Sequence, residues 1–348
     1  MKCVGMLCAS LLTATAHAQH YTQTNLVSNA GSADEKTDAS LVNGWGLSRS
    51  SGSPWWVSDN GSNHSTLYDG TGKASALVVN VAGGPTGTVY NGSQDFQLAA
   101  GRPASFLFAS EDGTISGWNS NVDAGNAMVM VTSPGAVYKG LAIASVNGAN
   151  YLYAADFHNG RIDVFDNAFR RLSDSAVAGF RLGGRSRNLS PFNVQNIGGN
   201  LFVAYARPDE DQHDDVPGDG LGLVAAFSPD GELLRIFEHV AELNAPWGMA
   251  LASGDFGAFS HHLLVGQFGS GKIAAFDLLS GRFAGELVDG SGQPIQIDGL
   301  WGLSFGGGSA NNGPANTLFF SAGPNGESGG LFGTLTPAAA DLTQGNGN

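Results

Sequence analysis

A short glycine-centred phrase returns six times along this 348-residue chain. It reads N-G-W-G-L-S at 43–48, G-P-T-G-T-V at 84–89, Y-K-G-L-A-I at 138–143, P-F-N-V at 191–194, P-W-G-M-A at 246–250 and L-W-G-L-S at 300–304. Aligned on Gly46, Gly87, Gly140, Asn193, Gly248 and Gly302, the spacings are 41, 53, 53, 55 and 54 residues. Self-similarity at such a period marks a repeat architecture, in which each unit buries its apolar faces only against its neighbours. Length alone would suggest two domains; the repeat makes the chain one.

Each phrase opens a fuller unit. K-G-L-A-I-A is followed by Y-L-Y-A-A-D at 151–156, a turn at 157–160, and R-I-D-V-F-D at 161–166. P-W-G-M-A-L-A is followed by L-L-V-G-Q-F at 263–268, Gly269-Ser270-Gly271, and K-I-A-A-F-D at 272–277. Short apolar or alternating runs joined by Gly, Asn and Asp are the signature of hairpins. A further run, such as E-L-L-R-I-F at 232–237, completes most units. Four antiparallel strands in each of six units predict an all-β fold, a six-bladed β-propeller over 19–337. The last unit lacks a fourth strand of its own. Y-T-Q-T-N-L-V at 21–27 is expected to pair into it and close the ring. The glycine is expected where innermost strands crowd together and a side chain would obstruct the backbone. The aromatics before it, Trp45, Phe192, Trp247 and Trp301, fit either a channel mouth or packing between blades.

The first residues read as a secretory signal peptide over 1–18: Lys2, an apolar run at 3–14, then Ala16-His17-Ala18 as cleavage site. The expected address is secreted or periplasmic, and 338–348 is expected to be a flexible tail. No later stretch approaches a membrane span. Both cysteines, Cys3 and Cys8, fall in the removed segment, so the mature protein holds no disulfide, thiol nucleophile or thiolate metal ligand. The formal charge is −14, with 13% of residues charged. An acidic balance speaks against nucleic acid as partner, and it suits cations. The expected state is a monomer.

In a propeller, the loops entering the innermost strands and those joining second to third strands share a face. On that face the sequence gathers Asn43, Lys139, Asn244 and Asp298 from entering loops. It gathers Asp59, Asn60, Glu111, Asp156, His158, Asn159, Asn325 and Glu327 from the others. Asn43, Asp59, Glu111, Lys139, Asn159, Asn244 and Asn325 are candidate ligand-binding residues. The longest loop, R-P-D-E-D-Q-H-D-D-V-P-G-D-G at 207–220, sets six carboxylates around His213. Asp209, Asp211, His213, Asp214 and Asp215 are candidate ligands for a divalent cation such as Ca²⁺, which takes six to eight oxygens. A solvated acidic loop explains the same residues, and no EF-hand spacing is present. In D-F-H-N-G at 156–160, Asp156 and His158 could form a general base or join Asp298 in holding a metal. An Asx-type turn accounts for them equally. No G-x-S-x-G, H-E-x-x-H, P-loop or dinucleotide fingerprint occurs.

The phrases V-Y-K-G-L-A-I, Y-L-Y-A-A-D-F-H-N-G-R-I-D-V-F-D, P-F-N-V-Q-N-I-G, L-N-A-P-W-G-M-A-L-A and I-D-G-L-W-G-L-S-F-G resemble a conserved-hypothetical family of exported, mostly bacterial proteins. That resemblance implies a six-bladed propeller and an exported address, and no chemistry. Some members carry a sorting tail; this chain ends in L-T-Q-G-N-G-N, without an apolar anchor. More distantly the repeat is similar to NHL-type and gluconolactonase-like propellers. The latter hold a divalent metal by acid and amide side chains on the axis, which matches this chain in residue types only.

Two readings follow. The first is a binding or scaffold protein that takes a small molecule, glycan or protein through an acidic face. The second is a divalent-metal-dependent hydrolase or lyase with its site on the propeller axis. There Asp156, His158, Asp298 and the 209–215 loop would hold the ion.

Overall fold

The computed structural model of the protein describes residues 20–31, 35–173, 179–184 and 188–338. The expected signal peptide and residues 339–348 of the expected tail lie outside the described residues. Among the described residues, two three-residue 3-10 turns interrupt an otherwise all-β chain. Among the described residues, no helix is long and apolar enough to cross a membrane.

Every glycine-centred phrase forms the first strand of an antiparallel unit. The first unit runs Gly44–Ser48, Trp55–Asp59, His64–Tyr68 and Val79–Asn80, and the second Pro85–Tyr90, Phe106–Ser110, Thr114–Asn119 and Asp123–Thr132. One parallel pair, Asn126 with Asn80, joins these two into an eight-stranded sheet. The third unit holds Tyr138–Val146, Ala149–Asp156 and Arg161–Phe165. The fourth runs Ser190–Ile197, Asn200–Ala206, Gly222–Phe227 and Leu233–Ile236, and the fifth Pro246–Leu251, His262–Gln267, Ile273–Asp277 and Phe283–Glu286. In the last, Leu300–Phe305, Leu318–Ala322 and Leu331–Pro337 are joined by Tyr21–Ser28, which pairs antiparallel with Leu331–Pro337.

Strand alternation explains why both faces of each unit are apolar. In W-W-V-S-D, Trp55 and Val57 pack with Phe319 and Phe332 of the last unit, while Trp56 packs with Phe106, Phe108 and Trp118 of the second. Tyr138, Leu152 and Phe165 meet Leu107 and Ile115; Tyr153 and Ile162 meet Val203 and Tyr205. Phe202 and Phe237 meet Val265 and Phe276; Leu264 and Ile273 meet Phe320 and Tyr21. Each aromatic or aliphatic side chain fully buried in these layers contributes about 1.5–3 kcal/mol.

The glycines sit where the innermost strands touch. A Cβ on Gly46 would fall 2.5 Å from the Thr86 carbonyl oxygen, and one on Gly302 would fall 2.6 Å from that of Trp45. Gly87 likewise abuts Gly140 and Leu141, Gly140 abuts Asn193, and Gly248 abuts Trp301. Only at the fourth phrase does a side chain occupy the position. There Asn193 turns its amide along the backbone: Nδ2 donates to the Trp247 carbonyl at 2.8 Å, and Oδ1 accepts from Val194 N–H at 2.8 Å.

Candidate functional site

In five of the six innermost strands the pairing register slips at the glycine phrase: after Gly44, Tyr138, Pro191, Pro246 and Leu300. In the second unit the slip falls between Phe108 and Ser110, opposite the phrase. A bulge re-aims side chains, and here it accompanies a common direction for the residue before each glycine. Those six residues are Trp45, Thr86, Lys139, Phe192, Trp247 and Trp301. A second set comes from the position just past each second strand: Asn60, Glu111, Phe157, Arg207, Phe268 and Gly323.

The aromatic members of both sets form one cluster, Trp45, Phe157, Phe192, Trp247, Trp301 and Phe268. Trp45 stacks on Trp301 with ring centroids 3.5 Å apart, Phe268 stacks on Trp301 at 3.9 Å, and Trp247 meets Trp45 edge-on at 5.8 Å. The aromatics before the glycines therefore pack on one another at the centre, not between units. The polar members lie against this plug. Lys139 is 1% exposed, and its ammonium stands 5.1 Å from the centroid of the Trp45 ring. It pairs with Glu111 and, at 3.0 Å, with Asp214 of the long acidic loop. Asn60 Nδ2 donates to Glu111 Oε2 at 2.7 Å. Asn43 Nδ2 donates to Asn60 Oδ1 at 3.3 Å and to Glu327 Oε2 at 2.6 Å, while its Oδ1 accepts from Trp301 Nε1 at 2.9 Å. His213 Nδ1 completes the chain, 3.0 Å from Asp214 Oδ1. Five units thus contribute to one polar mouth. The fifth secures the loop: Asn244 Oδ1 accepts from Gly218 N–H at 2.7 Å, and Asn244 N–H donates to Gln267 Oε1 at 2.9 Å.

Carboxylates outnumber cations here. Burial alone would lower the Lys139 pKa, but Glu111 and Asp214 outweigh it and hold the ammonium above the ordinary lysine value. Lys139 also draws Asp214 below the usual carboxylate range, against the effect of burial. Burial pushes Asp215 up to about 7; Lys139 opposes this, and Glu327 and Asp214 add repulsion. Glu327 is raised by burial and by Glu111, despite its bond from Asn43. One lysine cannot satisfy four acids. Asp215 Oδ2 and Trp45 Nε1 are both buried without a hydrogen-bond partner. Among the described residues, one trio has metal-ligand atoms all within 4.8 Å of one another: Glu111, His213 and Asp214.

Other sequence candidates stand apart from that trio. Asp156 is fully buried and accepts from Val137 N–H at 3.3 Å, Asn159 N–H at 3.2 Å and Asn159 Nδ2 at 2.8 Å, with Arg161 3.5 Å away. Its carboxylate organises the turn, and burial raises its pKa. His158 is half-buried in that turn, and Asn159 also donates to the Gly135 carbonyl at 2.9 Å. Asp59 is fully buried and accepts from Thr66 N–H at 2.8 Å. Asp298 is exposed and accepts from Asn325 N–H at 2.8 Å. On the acidic loop, Asp209 accepts from His213 N–H at 2.9 Å, and Asp211 points to solvent. Trp45 is the participant that sequence reasoning placed only as an aromatic. Its place before the glycine, the same place as Lys139, is the signal that links the two.

No protein-family model matches the chain. Two uncharacterized proteins of Acanthamoeba polyphaga mimivirus are similar to it. One is 33% identical over 325 residues, spanning 89% of this chain and 78% of that protein. The other is 32% identical over 327 residues, spanning 89% and 84%. These relatives are viral, where the sequence resemblance pointed to bacteria. Among solved structures, a streptogramin B lyase aligns with TM-score 0.54 at 12% identity, covering 92% of this chain and 98% of that one. A glucose dehydrogenase aligns with TM-score 0.53 at 15% identity, covering 91% and 99%. At such identities the likeness shows a β-propeller fold alone.

Proposed function

This chain belongs to the same family as the two mimivirus proteins, and from its mouth geometry we propose a β-propeller binding protein for a cationic ligand. The ligand is a divalent cation such as Ca²⁺ or the ammonium group of a small molecule. One observation carries the reading: Glu111 and Asp214 pair with a buried cation, Lys139, while Asp215 and Glu327 lie within reach of its charge and of the neighbouring carboxylates, and both have raised pKa values. A second positive charge relieves that repulsion. The reading includes six blades. It is supported by six innermost strands, five marked by glycine and one by Asn193, that abut in turn, and by the pairing of Tyr21–Ser28 with Leu331–Pro337, which would close the ring. It also includes export, on the strength of residues 1–18.

Titration calorimetry of the purified protein with Ca²⁺, and separately with a diamine, tests the proposal. Trp45 beside Lys139 gives a second readout in its fluorescence. One of the two ligands binds saturably, and the double variant Glu111→Gln, Asp214→Asn loses the binding while keeping its circular dichroism. Absence of binding by either ligand sinks the idea.

The metal-dependent hydrolase or lyase is the second reading, favoured by the Glu111, His213 and Asp214 trio. An ion held there would polarise a carbonyl or activate water, and Asp215, next in sequence to Asp214 and raised to about 7, is the candidate to move a proton. Asp156 with His158, and Asp298, stand as candidates outside that trio. Elemental analysis and melting with and without chelator separate the readings: a bound metal and a chelator-induced drop support the enzyme.

A further inference from the structure

The innermost strands enclose a second space, on the far side of the aromatic plug. It is a cavity of about 320 Å³, lined by residues beyond the glycine position in five of the six units and, from the fifth unit, by Trp247 on the side of the acidic mouth. That volume falls within the roughly 300–1,000 Å³ of small-molecule pockets. We propose that this cavity is a binding site for a neutral polyhydroxylated molecule of about monosaccharide size.

Its chemistry differs from that of the mouth. No carboxylate lines it. The one charged group is Arg49, and its guanidinium is committed to the Phe305 carbonyl, which accepts from Nε at 3.0 Å and from Nη2 at 2.7 Å. A cationic ligand would find no counter-ion, and an anionic one would meet a guanidinium whose Nε, Nη1 and Nη2 already donate to backbone carbonyls. The remaining polar lining is hydroxyl and amide. Ser48 and Thr88 share one hydrogen bond at 3.1 Å, which leaves lone pairs on both oxygens. Asn196 Nδ2 donates to the Ile143 carbonyl at 2.7 Å. Among the described residues, the side chains of Gln195 and Ser304 have no hydrogen-bond partner, and both are half-buried against the cavity. A polyol matches such a set, since each of its hydroxyls donates and accepts. The half-buried Leu47, Val89 and Ile143, with Trp247, give the cavity apolar walls against which C–H faces can pack. The plug makes this end independent of the mouth, so the proposal does not rest on cation binding.

Saturation-transfer NMR and calorimetry with glucose, galactose and inositol, with glucuronate and glucosamine as charged controls, test it on the full chain. At least one neutral probe binds, the charged analogues bind more weakly, and Gln195→Leu weakens binding by about tenfold through the loss of one hydrogen-bonding amide. Ser304→Ala, a smaller change, keeps the test available should Gln195→Leu fail to fold. Glu111→Gln at the mouth leaves this binding unchanged. No binding by any neutral probe, or binding untouched by both cavity variants, overturns the proposal and leaves the cavity as solvent only.

Discussion

Asp156 and Glu111 look interchangeable in the sequence: each is an acid beside a glycine-bearing turn between second and third strands. One residue of offset separates their fates. Asp156 is the last residue of Ala149–Asp156, whereas Glu111 is the first past Phe106–Ser110. Successive side chains of a strand point to opposite sides, so that offset reverses direction. The last position is inward, buried and spent on backbone. Asp59 accepts from Thr66 N–H, Asp156 from Val137 N–H, and Gln267 from Asn244 N–H. The next position faces the centre, where Asn60 and Glu111 bond each other and Phe157 and Phe268 enter the plug. Acids at the first place hold the fold; an acid at the second is free to meet Lys139.

The largest effect that sharpens this contrast is on stability at the last position. Asp156→Ala removes three hydrogen bonds and a partner of Arg161, and is expected to destabilise by about 3 kcal/mol in denaturant unfolding, with cation binding unchanged. Equal loss of binding would break the distinction. Next comes Lys139→Met, which keeps the buried stem but strands Glu111. The expected loss is about 2 kcal/mol at pH 7, discounted because Asp214 is largely exposed. The loss shrinks at pH 5, where protonation of Asp215, raised to about 7, removes one of the charges that lysine balances.

Smaller is a pH effect at the mouth. Because Asp215 is raised to about 7, its ionisation adds a negative charge as pH rises from 6 to 8, beside Lys139, Asp214 and Glu327. Cation affinity measured by calorimetry should rise several-fold over that window, up to about tenfold, and Asp215→Asn should flatten it. The smallest effect is at Asp59, whose pKa burial raises well above the ordinary value. Its stabilising contribution is complete below the unfolded carboxyl pKa of about 3.9 and is lost as pH climbs through the folded one. Asp59→Asn should therefore raise the melting temperature at pH 8 by roughly 2 °C or more and leave it unchanged near pH 3. An increase at both pH values would mean that packing, not charge, governs the site.

The glycine at each phrase was readable because backbone contact tolerates no Cβ, a local demand visible in residue type. The alternation in W-W-V-S-D and F-L-F-A-S was readable for the same reason: two buried faces need two apolar sets. The site was half legible. Asn43, Glu111, Lys139 and the acidic loop fall on the expected face. Asp156 and Asp59 do as well, yet Asp156 spends its oxygens on its own turn and Asp59 accepts only from Thr66 N–H, its other oxygen buried without a partner. The difference lies in where each second strand stops, and strand ends shift by a residue or two without changing composition. The convergence of Trp45, Trp247 and Trp301 was illegible for another reason. It depends on bulges, which the sequence carries only as a slipped register.

The pairing of Tyr21–Ser28 with Leu331–Pro337 has a consequence for synthesis. Tyr21–Ser28 leaves the ribosome some 300 residues before Leu331–Pro337 and must wait for it before it finds its partner. Until then Tyr21–Ser28 has an open edge, and the fifth unit lacks the ring of Tyr21 that packs on Phe256. Early units can fold as they emerge, but the last described unit joins segments some 300 residues apart, at a closure entropy that grows only logarithmically with that length. Translation that halts before Leu331 therefore leaves Tyr21–Ser28 as an unpaired strand able to pair with that of a neighbouring molecule, a route to aggregation that its pairing with Leu331–Pro337 shuts.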